Sequence, residues 1–124
     1  MAERRYTKNG EWVCRDGASW KVGLAPSAVE ELGDVTFVEL PALGRVVTSG
    51  EAVCSIEAVK AACDFYCPVE GRVAAVNQRL QDEPSLVNSS PEDEGWIFAL
   101  EEVSIESFLA LLDADAHRAW EKGT

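Results

Sequence analysis

Lys60 is the only cation between Arg45 and Arg72, and it stands between two runs of alternating residues. In the first run Ala52, Cys54, Ile56 and Ala58 share one face, with Ser55 and Glu57 on the other. In the second, Cys63, Phe65 and Cys67 share a face. If the runs pair as a hairpin, Val59 and Lys60 form its tip. The turn chemistry is unusual, because neither residue is Gly, Asn or Asp. A tight tip holds a lysine fully exposed on a rigid support, which is what a lysine-modifying enzyme requires. A lysine acting as a base needs burial or a cationic neighbour, and the sequence offers neither. Spacing alone also fits an ordinary solvated turn lysine, the commoner case.

The other reactive side chains are Cys14, Cys54, Cys63, Cys67 and a single histidine, His117. There is no C-x-x-C pair, so a zinc site is not expected. A Cys/His or Ser/His catalytic pair is not expected either, because a nucleophile needs its base nearby. Cys63 and Cys67 lie four apart on one predicted strand, about 13 Å at ~3.3 Å per residue, too far to bridge. Free cysteines are often small core residues. The functional alternative for Cys54, Cys63 and Cys67 is thiol chemistry, which needs exposure and a lowered pKa.

The chain has 124 residues and 47% hydrophobic residues, enough for one domain spanning 1–124. Lys and Arg total 11 against 22 Asp and Glu, a net charge of −11. Such a surface repels nucleic acid and anionic lipid, and it favours a soluble, self-repelling monomer. It also favours basic partner surfaces. No apolar run is long enough to span a bilayer. Met1 to Gly10 is polar and lacks the apolar stretch of a secretory signal, so a cytoplasmic location and reduced thiols are expected.

Short strands with turns between them account for most of the chain. They are expected between Tyr6 and Gly23, from Asp34 to Leu40, at Val46–Val47, from Glu51 to Val59, from Ala61 to Cys67, from Arg72 to Val76 and from Trp96 to Leu100. This spacing predicts a sandwich or small barrel. A short helix is expected over Ser27 to Leu32, with Ser27 as N-cap and Glu30 completing a capping box. Ile105, Phe108, Leu109 and Leu112 fall at helical spacing behind Ser104. Asp113 can cap a second helix carrying Trp120, and both helices are expected to bury apolar stripes against the sheets.

Glu57-Ala58-Val59-Lys60-Ala61 resembles the lipoyl-attachment motif of the H protein of the glycine cleavage system. The resemblance extends along most of the chain. Leu32-Gly33-Asp34-Val35-Thr36-Phe37-Val38-Glu39-Leu40-Pro41 is similar to the strand before the family's hairpin, and Pro68-Val69-Glu70-Gly71-Arg72-Val73 with Val76-Asn77 to the strand after it. Pro84-Ser85-Leu86-Val87-Asn88, Gly95-Trp96 and Tyr6-Thr7-Lys8 with Glu11-Trp12-Val13 are similar to its other motifs. The resemblance implies a mainly β fold, a flattened barrel-sandwich hybrid of two antiparallel sheets with a lysine hairpin and C-terminal helices. It implies a carrier rather than an enzyme. A lipoate ligase or lipoyl transferase would join lipoate to Lys60, flanked by Glu57, Val59 and Ala61. The arm would then swing between partner enzymes.

Several positions depart from the family pattern. The family usually has a histidine directly before Glu-Trp, where this chain has Gly10. Some members have a histidine before Leu-Gly, where this chain has Glu31. Glu11 is retained and is the candidate for contacting the arm. The missing histidines, the extra cysteines and the acidic surface resemble a divergent branch, the lipoate-binding proteins of cytoplasmic sulfur oxidation. On that reading the partners are a heterodisulfide-reductase-like complex and dihydrolipoamide dehydrogenase. The alternative is an H protein carrying an aminomethyl group between glycine cleavage enzymes. A lipoyl relay or storage protein is a further alternative.

Overall fold

A computed structural model describes residues 3–122. Two antiparallel sheets build it. The N-terminal strands are β1 (Glu3–Tyr6), β2 (Glu11–Asp16) and β3 (Ser19–Leu24), followed by helix α1 (Pro26–Leu32). Next come β4 (Val35–Val38), β5 (Val46–Val47), β6 (Ala52–Ala58), β7 (Ala62–Tyr66) and β8 (Gly71–Val76). Two single-turn helices, α2 (Arg79–Asp82) and α3 (Leu86–Ser89), lead to β9 (Phe98–Glu101). The chain closes with α4 (Ile105–Leu109), β10 (Leu112–Asp113) and α5 (Ala114–Lys122).

Seven strands form one sheet in the order β10-β1-β2-β3-β9-β8-β5, and β4-β6-β7 form the other. Neither sheet closes into a barrel. The main core lies between them because strand alternation turns apolar residues inward on both sides. Ile56 and Phe65 of the small sheet meet Val22, Phe98 and Leu100 of the large one, all fully buried. Phe65 and Phe98 pack edge to face at 5.6 Å, a favoured aromatic geometry. A second cluster of Tyr6, Trp12, Cys14 and Ala25 covers the outer face of the N-terminal strands. Gly23 is required beneath it, because a Cβ there would lie 2.7 Å from the Trp12 ring.

The expected strands are all present, with ends shifted by one or two residues. Four elements had no signal in the sequence. Helices α2 and α3 are four residues each, too short for a helical period to appear. β10 is two residues long and exists by pairing with β1, so Leu112, expected on the helical stripe with Ile105, Phe108 and Leu109, lies in a strand instead. β1 begins in a charged segment, Glu3-Arg4-Arg5, where alternation is masked.

The capping box at Ser27 does not form. Pro26 is the first helical residue and Ala25 the cap, because proline is pre-organised for the first turn and has no N–H to satisfy. Ser27 Oγ bonds the Glu121 carboxylate instead. Asp113 does cap α5: its Oδ1 accepts the Ala116 N–H at 2.8 Å. The apolar stripes of the C-terminal helices are only partly buried. Phe108 is sealed against Trp20, whereas Ile105, Leu109 and Trp120 remain exposed. No described helix is long and apolar enough to cross a membrane.

Candidate functional site

Strands β6 and β7 pair as the predicted hairpin, with Glu57 opposite Ala62 and Ile56 opposite Cys63. The Ala58 N–H donates to the Ala61 carbonyl at 2.7 Å, which leaves Val59 and Lys60 as the two-residue tip. Both are exposed, Val59 by 73%. Among the described residues the only non-glycine with positive φ is Glu102. The tip therefore turns without a left-handed residue, and Gly, Asn or Asp is not required there. The Val59 N–H donates to the Asp34 carbonyl at 3.0 Å, and Thr36 Oγ1 donates to the Glu57 carbonyl at 3.2 Å. The lysine thus stands on a short turn tied to the segment that enters β4.

A groove of about 430 Å³ opens beside this hairpin. Ala61, Ala62, Cys63 and Asp64 form one wall, with Tyr66 further along β7. Ala28, Glu31 and Leu32 of α1 face them, and Asn9, Glu11 and Leu24 line the remainder. The groove combines an apolar lining with three carboxylates, those of Glu11, Glu31 and Asp64.

Glu11 is 4% exposed. Thr7 Oγ1 donates to its Oε1 at 2.6 Å, and Thr7 Oγ1 in turn accepts the Glu11 N–H at 3.1 Å. Burial raises the carboxyl pKa above the ordinary glutamate value, opposed by the Thr7 hydrogen bond and by its own backbone N–H. Glu31, at the end of α1, is exposed. Glu11 and Glu31 therefore do share one site with the hairpin. Glu57, on the outer face of the small sheet, points to solvent and does not line the groove.

Gly10 also has a structural reason. Its φ is +97, and a Cβ there would come within 2.8 Å of the Ala28 Cβ. Any side chain at this position would have to displace α1.

The cysteines separate. Cys54 and Cys67 are buried in the main core, and burial pushes both thiols up to about 12. Cys67 Sγ donates to the Val69 carbonyl at 3.1 Å. Neither has the exposure or the lowered pKa that thiol chemistry requires. Cys63 is half-buried and lines the groove, but burial and the charges of Asp64 and Glu11 raise its pKa as well. No group of three or more His, Cys, Asp or Glu among the described residues could hold a metal ion.

The groove residues missed in the sequence are Asn9, Asp64 and Tyr66, together with the apolar Leu24, Ala28, Leu32 and Ala62. Asp64 and Tyr66 could have been found, since they alternate with the inward-facing Cys63, Phe65 and Cys67. Asn9 carried no signal, because only the pairing of β2 with β3 brings its loop beside α1.

Residues 4–123 match the family model described as glycine cleavage H-protein. The chain belongs to the glycine cleavage H-protein family. A glycine cleavage system H protein of Listeria monocytogenes is 51% identical over 110 residues, covering 89% of this chain and 88% of the relative. One from Thermotoga maritima is 47% identical over 119 residues, covering 95% of each. The crystal structure of a glycine cleavage system H protein from Mycobacterium marinum superposes with a TM-score of 0.84 at 31% identity, covering 100% of this chain and 99% of that one. These relatives are named for glycine cleavage, the alternative, and they lend no support to the sulfur-oxidation branch. Gly10 and the core cysteines, which pointed to that branch, are accounted for by packing.

Proposed function

We propose that this chain is a lipoyl carrier of the glycine cleavage type and that Lys60 bears the arm. The observation that carries this reading is an exposed lysine on a braced two-residue tip, beside a groove lined by apolar side chains and three carboxylates. A lipoate ligase or lipoyl transferase would form an amide at Lys60 Nζ. That amide removes the lysine charge, so the arm is less costly to bury in a partner's channel. Tethering keeps the dithiolane at high effective concentration near each partner site. Lipoate supplies a sulfur that accepts and releases the cargo, and dihydrolipoamide dehydrogenase would reoxidise the arm.

The groove favours an aminomethyl cargo. An amine attached to the arm is cationic near neutral pH, and Glu11, Glu31 and Asp64 attract that charge. Leu24, Leu32 and Tyr66 offer apolar contact to the hydrocarbon of the arm and exclude water from it. The acidic surface suits basic rims on the glycine cleavage enzymes that load and unload the arm.

The test is the mass of the Lys60 peptide from protein purified from its own host. A lipoyl increment on Lys60 is expected, with an added aminomethyl group in protein taken during turnover. In Lys60→Arg the increment disappears while the unfolding free energy changes by no more than a surface substitution does, about 0.5 kcal/mol. Lipoylation of Lys60→Arg at full stoichiometry would refute the site. Additional sulfur on the arm would move the protein to sulfur oxidation.

A further inference from the structure

Asn88, on α3, uses both ends of its side-chain amide on one tripeptide. Its Nδ2 donates to the Gly33 carbonyl at 2.8 Å, and its Oδ1 accepts the Val35 N–H at 2.8 Å. The orientation of the amide is dictated by its partners: a carbonyl needs a donor and an N–H needs an acceptor. The residue between them, Asp34, belongs to neither α1 nor β4. Its carbonyl accepts the Val59 N–H at the hairpin tip, at 3.0 Å. Gly33, the C-cap of α1, has φ +87 and brings no side chain of its own to hold this link between α1 and β4.

The tip depends on this arrangement. The Ala58–Ala61 bond is internal to the hairpin. The exposed side chain of Val59 does not pack into the core. The ladder between β4 and β6 holds the hairpin as far as Ala58, which pairs with Val35, and the bond from the Val59 N–H to Asp34 carries that anchorage one residue further, onto the tip itself.

We propose that Asn88 is a positioning residue for Lys60. By bracketing Gly33 and Val35 it fixes the Asp34 carbonyl, and that carbonyl fixes Val59 and so the direction in which the neighbouring lysine leaves the hairpin. Its value for function rests on the carrier reading of Lys60. A tip already held in place need not be ordered when an enzyme grips it, which lowers the cost of each encounter.

The experiment compares unlipoylated wild type with Asn88→Ala and Asn88→Asp. Asn88→Ala removes both arms of the bracket. Asn88→Asp keeps an acceptor for Val35 and loses the donor to Gly33. Amide hydrogen exchange is measured at Val59 and at the buried residues Ile56 and Phe65 of the same hairpin. Loss of one net hydrogen bond should lower Val59 protection by roughly tenfold beyond any change at Ile56 and Phe65. Lipoylation of the same variants by a lipoate ligase, with lipoate and ATP, should show a raised KM for the carrier with kcat unchanged. A fall in Val59 protection no larger than that at Ile56 would overturn the proposal, since Asn88 would then be a general stability residue. An unchanged KM would also overturn it. If Asn88→Ala does not fold, Asn88→Asp decides the same two readouts. Wild type that no ligase modifies would sink the carrier reading instead, leaving Val59 exchange to judge the bracket.

Discussion

Placing a side chain at Gly10 should destabilise the protein for two separable reasons. The backbone there has φ +97, and the position of a Cβ is 2.8 Å from the Ala28 Cβ on α1. The Gly10 carbonyl also accepts the Ala25 N–H at 2.7 Å, which fixes the entry to that helix. A left-handed backbone costs an L-residue about 1–2 kcal/mol. Overpacking against a Cβ that cannot rotate away costs about 1–3 kcal/mol more. Gly10→Ala should therefore lose about 2–5 kcal/mol, and for a domain of this size the midpoint should fall by roughly 10–20 °C. Ala28→Gly opens the space and by itself costs about 0.5–1 kcal/mol of helix propensity. The double variant should lose less than the sum of the two, with a coupling of about 1–2 kcal/mol. What remains is the backbone cost, which Ala28→Gly cannot relieve. Urea denaturation followed by tryptophan fluorescence measures all four corners of the cycle. Strict additivity would refute the clash, and a neutral Gly10→Ala would refute both parts. Gly10→His, which installs the residue common in the family, should be at least as costly as Gly10→Ala.

Three further outcomes follow from the groove and the cysteines. Burial raises the Glu11 carboxyl above its unfolded value near about 4.3, so the native state holds that proton more tightly. The stability from this source is full below about pH 4 and is lost as pH rises through the folded value. Glu11→Gln removes the dependence, so denaturation curves should show the variant gaining on wild type as pH rises from about 4 to 7; a relative loss over that range would refute the assignment. The same substitution should shorten retention of a loaded, cationic arm several-fold, read as faster hydrolytic loss of the aminomethyl group. Alkylation of native protein with iodoacetamide near neutral pH should reach Cys63 before Cys54 or Cys67, because only Cys63 lines an open groove. Mass mapping that finds the two core thiols modified first would contradict their placement.

The lysine hairpin was legible because it depends on local rules. Alternation in 54–58 and 62–66 assigns faces without knowledge of the rest of the chain, whereas a bulge between Ala52 and Cys54 turns Ala52 out and buries Val53, against the expected face; the family motif then singles out Lys60. The motif Leu86-Val87-Asn88 was readable as a resemblance, but its physical role was not. Asn88 and Gly33 are 55 residues apart in the chain, and only folding brings them together. The same holds for Gly10, which as a sequence feature was a missing histidine and in the fold is a close approach to α1.

The sequence by itself determined the strand pattern, the inward faces of most of β6 and of β7, the net charge of −11 and the place of Lys60 between the two hairpin strands. These follow from side-chain periodicity and composition, which act over a few residues. The tertiary structure decided that Glu11, Glu31 and Asp64 share one groove and that Glu57 does not. It decided that Cys54 and Cys67 are core while Cys63 is not, and that Ser27 bonds Glu121 instead of capping its own helix. Each of these depends on which distant segment lies opposite. That is set by the joint burial of two sheets, not by the preference of any one segment.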